Sequence, residues 1–255
     1  MSAEGTMDIN FFLVILVGFI AQLIDGSLGM AYGVSANSFL LGIGIPPAVA
    51  SASVHTAEIF TTAISGASHW KVGNVDKKLV KSLVIPGVIG GALGAYILTN
   101  IDGNKIKPFI SIYLLIMGIR ILVVAFKPTE NTEEKQTPKW LIPLGFVGGI
   151  SDAIGGGGWG PIVTTTLIST GGSPRKVIGS VNLSEFFVTI AEVILFTATI
   201  GLSHWYYILG LLIGGVIAAP LGALLTKKIP AKTLMISVGC LIIFLQIRTL
   251  YQLYF

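Results

Sequence analysis

The sequence predicts an all-α polytopic membrane protein made of two inverted-topology repeats. Three observations predict it: long apolar runs with few charges, one motif pattern present twice, and a lopsided distribution of Lys and Arg. Apolar residues make up 53% of the 255 and charged residues 11%. Several uncharged runs approach the roughly 20 residues that cross a hydrocarbon core of about 30 Å. The net charge of +4 does not mark a nucleic-acid protein, because the basic residues punctuate the ends of apolar runs and form no patch. The single Cys240 lies in the last apolar run as a small hydrophobe and excludes a disulfide within the chain.

The first repeat, residues 1–126, opens on an apolar segment interrupted by GFIAQLIDGSLGMAYG. The second, residues 140–255, opens on GFVGGISDAIGGGGWG. A constant offset aligns Gly18 with Gly145, Asp25 with Asp152, Gly29 with Gly156 and Gly33 with Gly160. It continues through Pro47 and Pro174, Ser53 and Ser180, Glu58 and Glu185, and Thr62 and Thr189. After one inserted residue, Gly87, Gly94 and Arg120 fall on Gly215, Gly222 and Arg248. No positive leader precedes the first apolar segment, which belongs to the repeat and is therefore expected to be retained.

Each broken segment is followed by three helical candidates. In the first half these are Pro47 to His69, Leu79 to Leu98 and Ile106 to Phe126; in the second, Pro174 to Ile200, Trp205 to Leu225 and Ala231 to Tyr254. The residues 127–139, with Glu130, Glu133 and Glu134, form the one substantial polar linker and are expected on the cytoplasmic side. Parity sets the topology. If each broken segment returns to its own face, the halves are inverted and only Lys105 and Lys107 lie opposite the other loop cations; if it crosses, the cations divide evenly between faces. The positive-inside bias selects inversion, with both termini outside. Two full crossings per broken segment keep the same parity, so the number of spans stays open.

A bend inside the bilayer frees backbone groups that lipid cannot satisfy, so it must be buried in protein or line a wet cavity. Gly155, Gly156, Gly157 and Gly158 permit such a bend, and the helices beginning near Gly29 and Gly156 aim N–H groups at the membrane centre, where an anion suits them. Gly26, Ser27 and Gly29 in the first tip, and Ser151 with Gly155 to Gly158 in the second, are the expected anion contacts. Asp25 and Asp152 either carry protons or accept hydrogen bonds that shape the tips. Gly87, Gly90, Gly91, Gly94, Gly214, Gly215 and Gly222 are assigned to close helix packing.

The next helix of each half aligns His55 with Asn182 and Glu58 with Glu185, a three-residue spacing that puts both groups on one face. His55, Asn182 and Ser184 join the expected substrate contacts, and Glu58 and Glu185 the proton-coupling or gating groups. Arg120 and Arg248 near the ends of the last helices are read as interface anchors first and anion partners second. His69 beside Trp70 and His204 beside Trp205 read as interface residues.

Enzymatic readings are weak. Gly155, Gly157 and Gly160 fit the GxGxxG spacing, but no strand precedes them. Ser151 lacks the following glycine of a GxSxG elbow, and HExxH is absent. His55 and Glu58 as metal ligands of an intramembrane enzyme are the rival from another class, weakened by Asn182 at the matching position. No metal and no cofactor is expected. An anion channel is the nearer competitor.

Taken together, IDGSLGMAYG with GIPPAVASASVHTAE, and SDAIGGGGWGP with GGSPRKVIGSVNLSE, resemble the sulfite exporter TauE/SafE family, also described as toluene sulfonate uptake permeases. The likeness covers nearly the whole chain; Met30, Ala31 and Tyr32 depart from the glycines common at the first tip. The resemblance implies transport of sulfite, thiosulfate, a sulfonate or a related sulfur anion across the bacterial inner membrane, without cofactor. Expected partners are that anion, the lipid bilayer, protons and, for assembly, further copies of the chain, whereas nucleic acid is excluded. Export is the easier direction, since an anion leaving a negative interior gains roughly 2.3 kcal/mol per charge per 100 mV; uptake would need protons.

Overall fold

The computed structural model describes residues 11–126, 140–170, 172–202, 204–225 and 231–255. The linker expected over 127–139 lies outside the described residues. The elements described are helical: α1 (Phe11–Leu28), α2 (Tyr32–Gly42), α3 (Pro47–Lys71), α4 (Lys77–Asn100), α5 (Gly103–Ala125), α6 (Leu141–Gly155), a π-helical turn (Gly160–Thr164) running into α7 (Thr165–Ser169), α8 (Pro174–Thr199), α9 (Trp205–Leu225) and α10 (Ala231–Tyr254). Three long helices follow each broken segment, as the apolar runs predict, with ends displaced by a few residues.

Local chemistry sets those ends. Pro47 and Pro174 stand in the first turns of α3 and α8, where a missing N–H costs nothing. The Asp76 carboxylate accepts from the N–H of Lys78 at 2.8 Å and so starts α4 two residues before Leu79. Asp102 does the same for α5 through Asn104 at 2.9 Å.

Lys77–Asn100, Gly103–Ala125, Pro174–Thr199 and Met235–Tyr254 are long and apolar enough to cross a membrane by length and composition. The helix α3, with 25 residues, spans about 37 Å at 1.5 Å per residue. Its polar side chains lower its hydropathy, but Ser51, Ser53, His55, Thr56, Glu58, Thr61 and Thr62 are buried inside the protein. Outward faces carry large apolar side chains such as Ile85, Ile89, Ile112, Ile116, Phe244 and Ile247, the pattern of a helix bundle solvated by lipid. The chain is a multi-pass membrane protein.

Matching helices of the two halves run antiparallel. Along α3 and α8, Gly66 packs on Leu183, and His55, earlier in α3, faces Glu192, later in α8. Along α5 and α10, Gly118 meets Ile242 whereas Leu122 meets Gly239. An inverted repeat requires this opposition, and four spans per half in parallel copies would not produce it.

The halves also exchange partners: α1 lies along α9 and α6 along α4. Glycines make these contacts possible. A Cβ at Gly94 would stand 2.7 Å from the Ile150 carbonyl oxygen and one at Gly214 2.5 Å from the Phe19 nitrogen, distances at which only glycine admits the neighbouring backbone.

Candidate functional site

Both broken segments are hairpins whose tips meet at the centre of the bundle. The first tip, Gly29 to Ala31, reverses through left-handed φ values of 65° at Gly29 and 94° at Ala31. The second uses 64° at Gly156 and 138° at Gly157. Beyond the second tip the chain folds back on α6, so that a Cβ at Gly148 would lie 2.6 Å from Val163 and 3.3 Å from Trp159. The segment therefore returns on itself instead of passing straight through, as the charge parity requires.

The tips pack directly on each other, with Gly33 against Gly157 and Gly160 against Met30. Each is clamped by the other's return helix. Asn37 Nδ2 donates to the Gly155 carbonyl at 2.6 Å, and Thr164 Oγ1, at the matching position of the second copy, donates to the Gly29 carbonyl at 3.2 Å. These bonds satisfy carbonyls that a bend at this depth would leave bare.

The two tip aspartates accept hydrogen bonds from backbone. Asp152 Oδ1 receives the N–H groups of Gly158 at 2.6 Å and Trp159 at 2.9 Å. Asp25 Oδ1 receives the matching N–H of Tyr32 at 3.4 Å. Of the two roles open from sequence, shaping the tip is the one this geometry displays. It also means that the N–H donors expected to face a solute anion are held by the protein's own carboxylate in this conformation.

A polar cluster fills the space beside the second tip. His55 Nε2 lies 3.0 Å from Glu192 Oε2, 3.6 Å from Asp152 Oδ2 and 4.0 Å from Glu58 Oε2, and all four residues are buried. His55 Nδ1 is 2.8 Å from the Ser51 carbonyl oxygen. Ser51 Oγ in turn donates to the Ala153 carbonyl at 2.6 Å, tying α3 to the end of α6. Asp25 and Glu185 are buried close enough to exchange electrostatic influence with this group.

The remaining expected residues divide. Asn182 is buried with both amide atoms unpaired by protein. Ser184 spends its hydroxyl on the Ser180 carbonyl of its own helix at 2.7 Å. Gly26 sits half-buried in the last turn of α1, and the side chain of Ser27 lies outside the described residues. Ser151 and Gly155 line a mostly apolar cleft of about 370 Å³ with Ile106, Phe109, Ile110, Tyr113, Ile150 and Ile154.

The arginines depart from the interface-anchor expectation. Arg120 turns inward: its Nε donates to the Pro161 carbonyl at 3.0 Å and to Thr165 Oγ1 at 2.9 Å, and Nη2 to Thr166 Oγ1 at 2.7 Å. Arg248 Nη1 reaches the Gly42 carbonyl at 3.4 Å. Each arginine thus braces the return helix of the opposite half's hairpin. Gly42 is the last residue of α2, where a helix leaves carbonyls without an intrahelical partner, whereas Arg120 is held mainly by threonine hydroxyls. Trp70 and Trp205 are exposed, at 50% and 52%.

Glu192 is the functional candidate that repeat-based reading overlooks, because Glu58 and Glu185 align whereas Glu192 has no acidic counterpart in the first copy. Its signal was available: an acid two turns after Glu185 on an apolar helix is costly at depth. Asn37 and Thr164 carry a further signal, since they align under the same offset as the aspartates.

Comparison with known proteins follows the same lines. The family model described as Sulfite exporter TauE/SafE matches residues 14–249. The chain is 49% identical over 241 residues to a probable membrane transporter protein, YtnM, of Bacillus subtilis (strain 168), covering 92% of this chain and 80% of that one. It is 20% identical over 268 residues to a second, YunE, of the same organism, covering 95% and 98%. No solved structure matches. The chain belongs to the sulfite exporter TauE/SafE family and is a membrane transporter.

Proposed function

We propose that the protein exports a small sulfur-containing anion, such as sulfite, thiosulfate or a sulfonate, across the bacterial cell membrane by alternating access. One observation carries the reading. The N–H groups of Gly158 and Trp159, opening the return helix of the second hairpin, converge on a single carboxylate oxygen of Asp152. Two backbone donors that hold a carboxylate oxygen match an oxygen of sulfite or a sulfonate equally well. Asp152 then occupies the receiving position in the closed conformation, and an arriving anion takes its place as the side chain swings away.

Asp25 and the Tyr32 N–H repeat the arrangement in the inverted half, so rocking of the antiparallel halves presents one tip to each side in turn. The cleft beside Ser151 and Gly155 is the approach to the second tip. An interior-negative potential drives the anion outward, the termini face the outside, and no bond is made or broken. The substrate class follows the family description, sulfite exporter.

The test is flux of labelled sulfite, thiosulfate and a sulfonate from proteoliposomes under an imposed potential. Saturable efflux, accelerated by an interior-negative potential and by anions on the far side, is expected. Asp152→Ala should change the KM for the anion. Failure to move any of the three refutes the substrate class, and single-channel currents refute alternating access in favour of a channel.

A further inference from the structure

The geometry points to a divalent metal site formed by His55, Glu192 and Asp152, with Glu58 beside it. The ligand atoms Nε2, Oε2 and Oδ2 come from three helices, α3, α8 and α6, and lie within 4.8 Å of one another. The separations from Nε2, 3.0 Å to Glu192 and 3.6 Å to Asp152, bracket the spacing of about 3.0 to 3.4 Å between ligands whose bonds to one Zn²⁺ are near 2.1 Å. Glu58 Oε2, at 4.0 Å, is a fourth donor one small side-chain adjustment away.

Beyond these contacts with one another, the atoms facing this point have no hydrogen-bond partner in the surrounding protein. His55 Nε2, Asp152 Oδ2, Glu58 Oε2 and both carboxylate oxygens of Glu192 are buried and unpaired in this sense. Buried polar atoms seldom stay so, and a cluster of them aimed at one point calls for a ligand. The surrounding bonds orient the donors as metal sites do. His55 Nδ1–H is directed at the Ser51 carbonyl, which leaves Nε2 as the lone-pair donor. Asp152 divides its carboxylate, giving Oδ1 to the tip N–H groups and leaving Oδ2 for the cluster. An imidazole with carboxylates selects a first-row divalent cation such as Zn²⁺, Co²⁺ or Mn²⁺ over Mg²⁺ or Ca²⁺, which prefer oxygen alone.

Such an ion joins both halves at the second tip, since α3 belongs to the first repeat and α6 and α8 to the second. The site stands whichever solute is carried. It fastens the closed conformation, because Asp152 stays on the tip while its other oxygen holds the metal.

The test uses the full chain, purified in detergent, stripped with EDTA and titrated with Zn²⁺, with bound metal counted by elemental analysis after gel filtration. About one Zn²⁺ per chain is expected for the wild type and for His69→Gln. Glu192→Gln and His55→Gln should each weaken binding by tenfold or more, at least the loss seen when only an outer-shell partner of a metal ligand is removed. Zn²⁺ should raise the Tm of the wild type more than that of Glu192→Gln, the metal-free Tm of each variant serving as the check on folding. Should a variant fail to fold, Co²⁺ bound to the wild type must show the absorption of a nitrogen- and oxygen-ligated ion of low symmetry. Absence of stoichiometric metal in the wild type, equal binding in folded His55→Gln and Glu192→Gln, or a Co²⁺ spectrum of the hexaaquo ion overturns the site. None of these readouts depends on anion flux.

Discussion

Replacing each tip aspartate by alanine should expose an asymmetry hidden in the repeat. Asp152 accepts two backbone hydrogen bonds at 2.6 and 2.9 Å, each worth about 0.5–1.5 kcal/mol. Asp25 accepts one at 3.4 Å, at the weak limit of the geometry. Asp152→Ala also strands two buried N–H groups. A net local cost of about 2 kcal/mol or more is expected for Asp152→Ala, against about 1 kcal/mol or less for Asp25→Ala. The assay is hydrogen exchange at the amides of Gly158, Trp159 and Tyr32 in detergent with chelator present. At about 1.4 kcal/mol per factor of ten, exchange at Gly158 and Trp159 should quicken roughly 30-fold or more in Asp152→Ala. Asp152→Asn, which keeps a neutral acceptor, should fall between. Equal acceleration at the two tips, or a larger effect from Asp25→Ala, would show that the Asp152 carboxylate does not hold the second tip.

Three further outcomes follow from the packing. In a Cys240→Ser background, Gly66→Cys with Leu183→Cys should form a disulfide on oxidation, read as a faster-migrating band, because the two Cβ positions are 3.5 Å apart; failure to cross-link would contradict the antiparallel pairing of α3 and α8. Asn37→Ala and Thr164→Val should each lower thermal stability by about 1–2 kcal/mol, and a double-mutant cycle should reveal coupling, since both bonds clamp the same pair of tips; strict additivity would refute a shared clamp. Arg120→Gln, losing donors to three oxygens, should reduce stability and transport rate more than Arg248→Gln, which loses one bond at 3.4 Å, and the reverse order in paired melting and flux assays would tell against the bracing role.

Much of this arrangement was legible in the chain itself. The paired motifs around Asp25 and Asp152, the three helices after each, and the crowding of Lys and Arg at one set of loops determine an inverted, membrane-embedded architecture, because burial in lipid and helix length are recorded locally in composition. The glycines of α4 and α9 announced close packing for the same reason: a missing side chain is visible wherever it occurs. Tertiary structure alone decided who meets whom. Glu192 joins His55 only because α3 and α8 lie antiparallel, Arg120 turns inward only because the second hairpin ends beneath it, and the tip amides meet Asp152 only because the chain doubles back. Those encounters join residues far apart in sequence, and their free energy depends on distances that no residue pattern encodes.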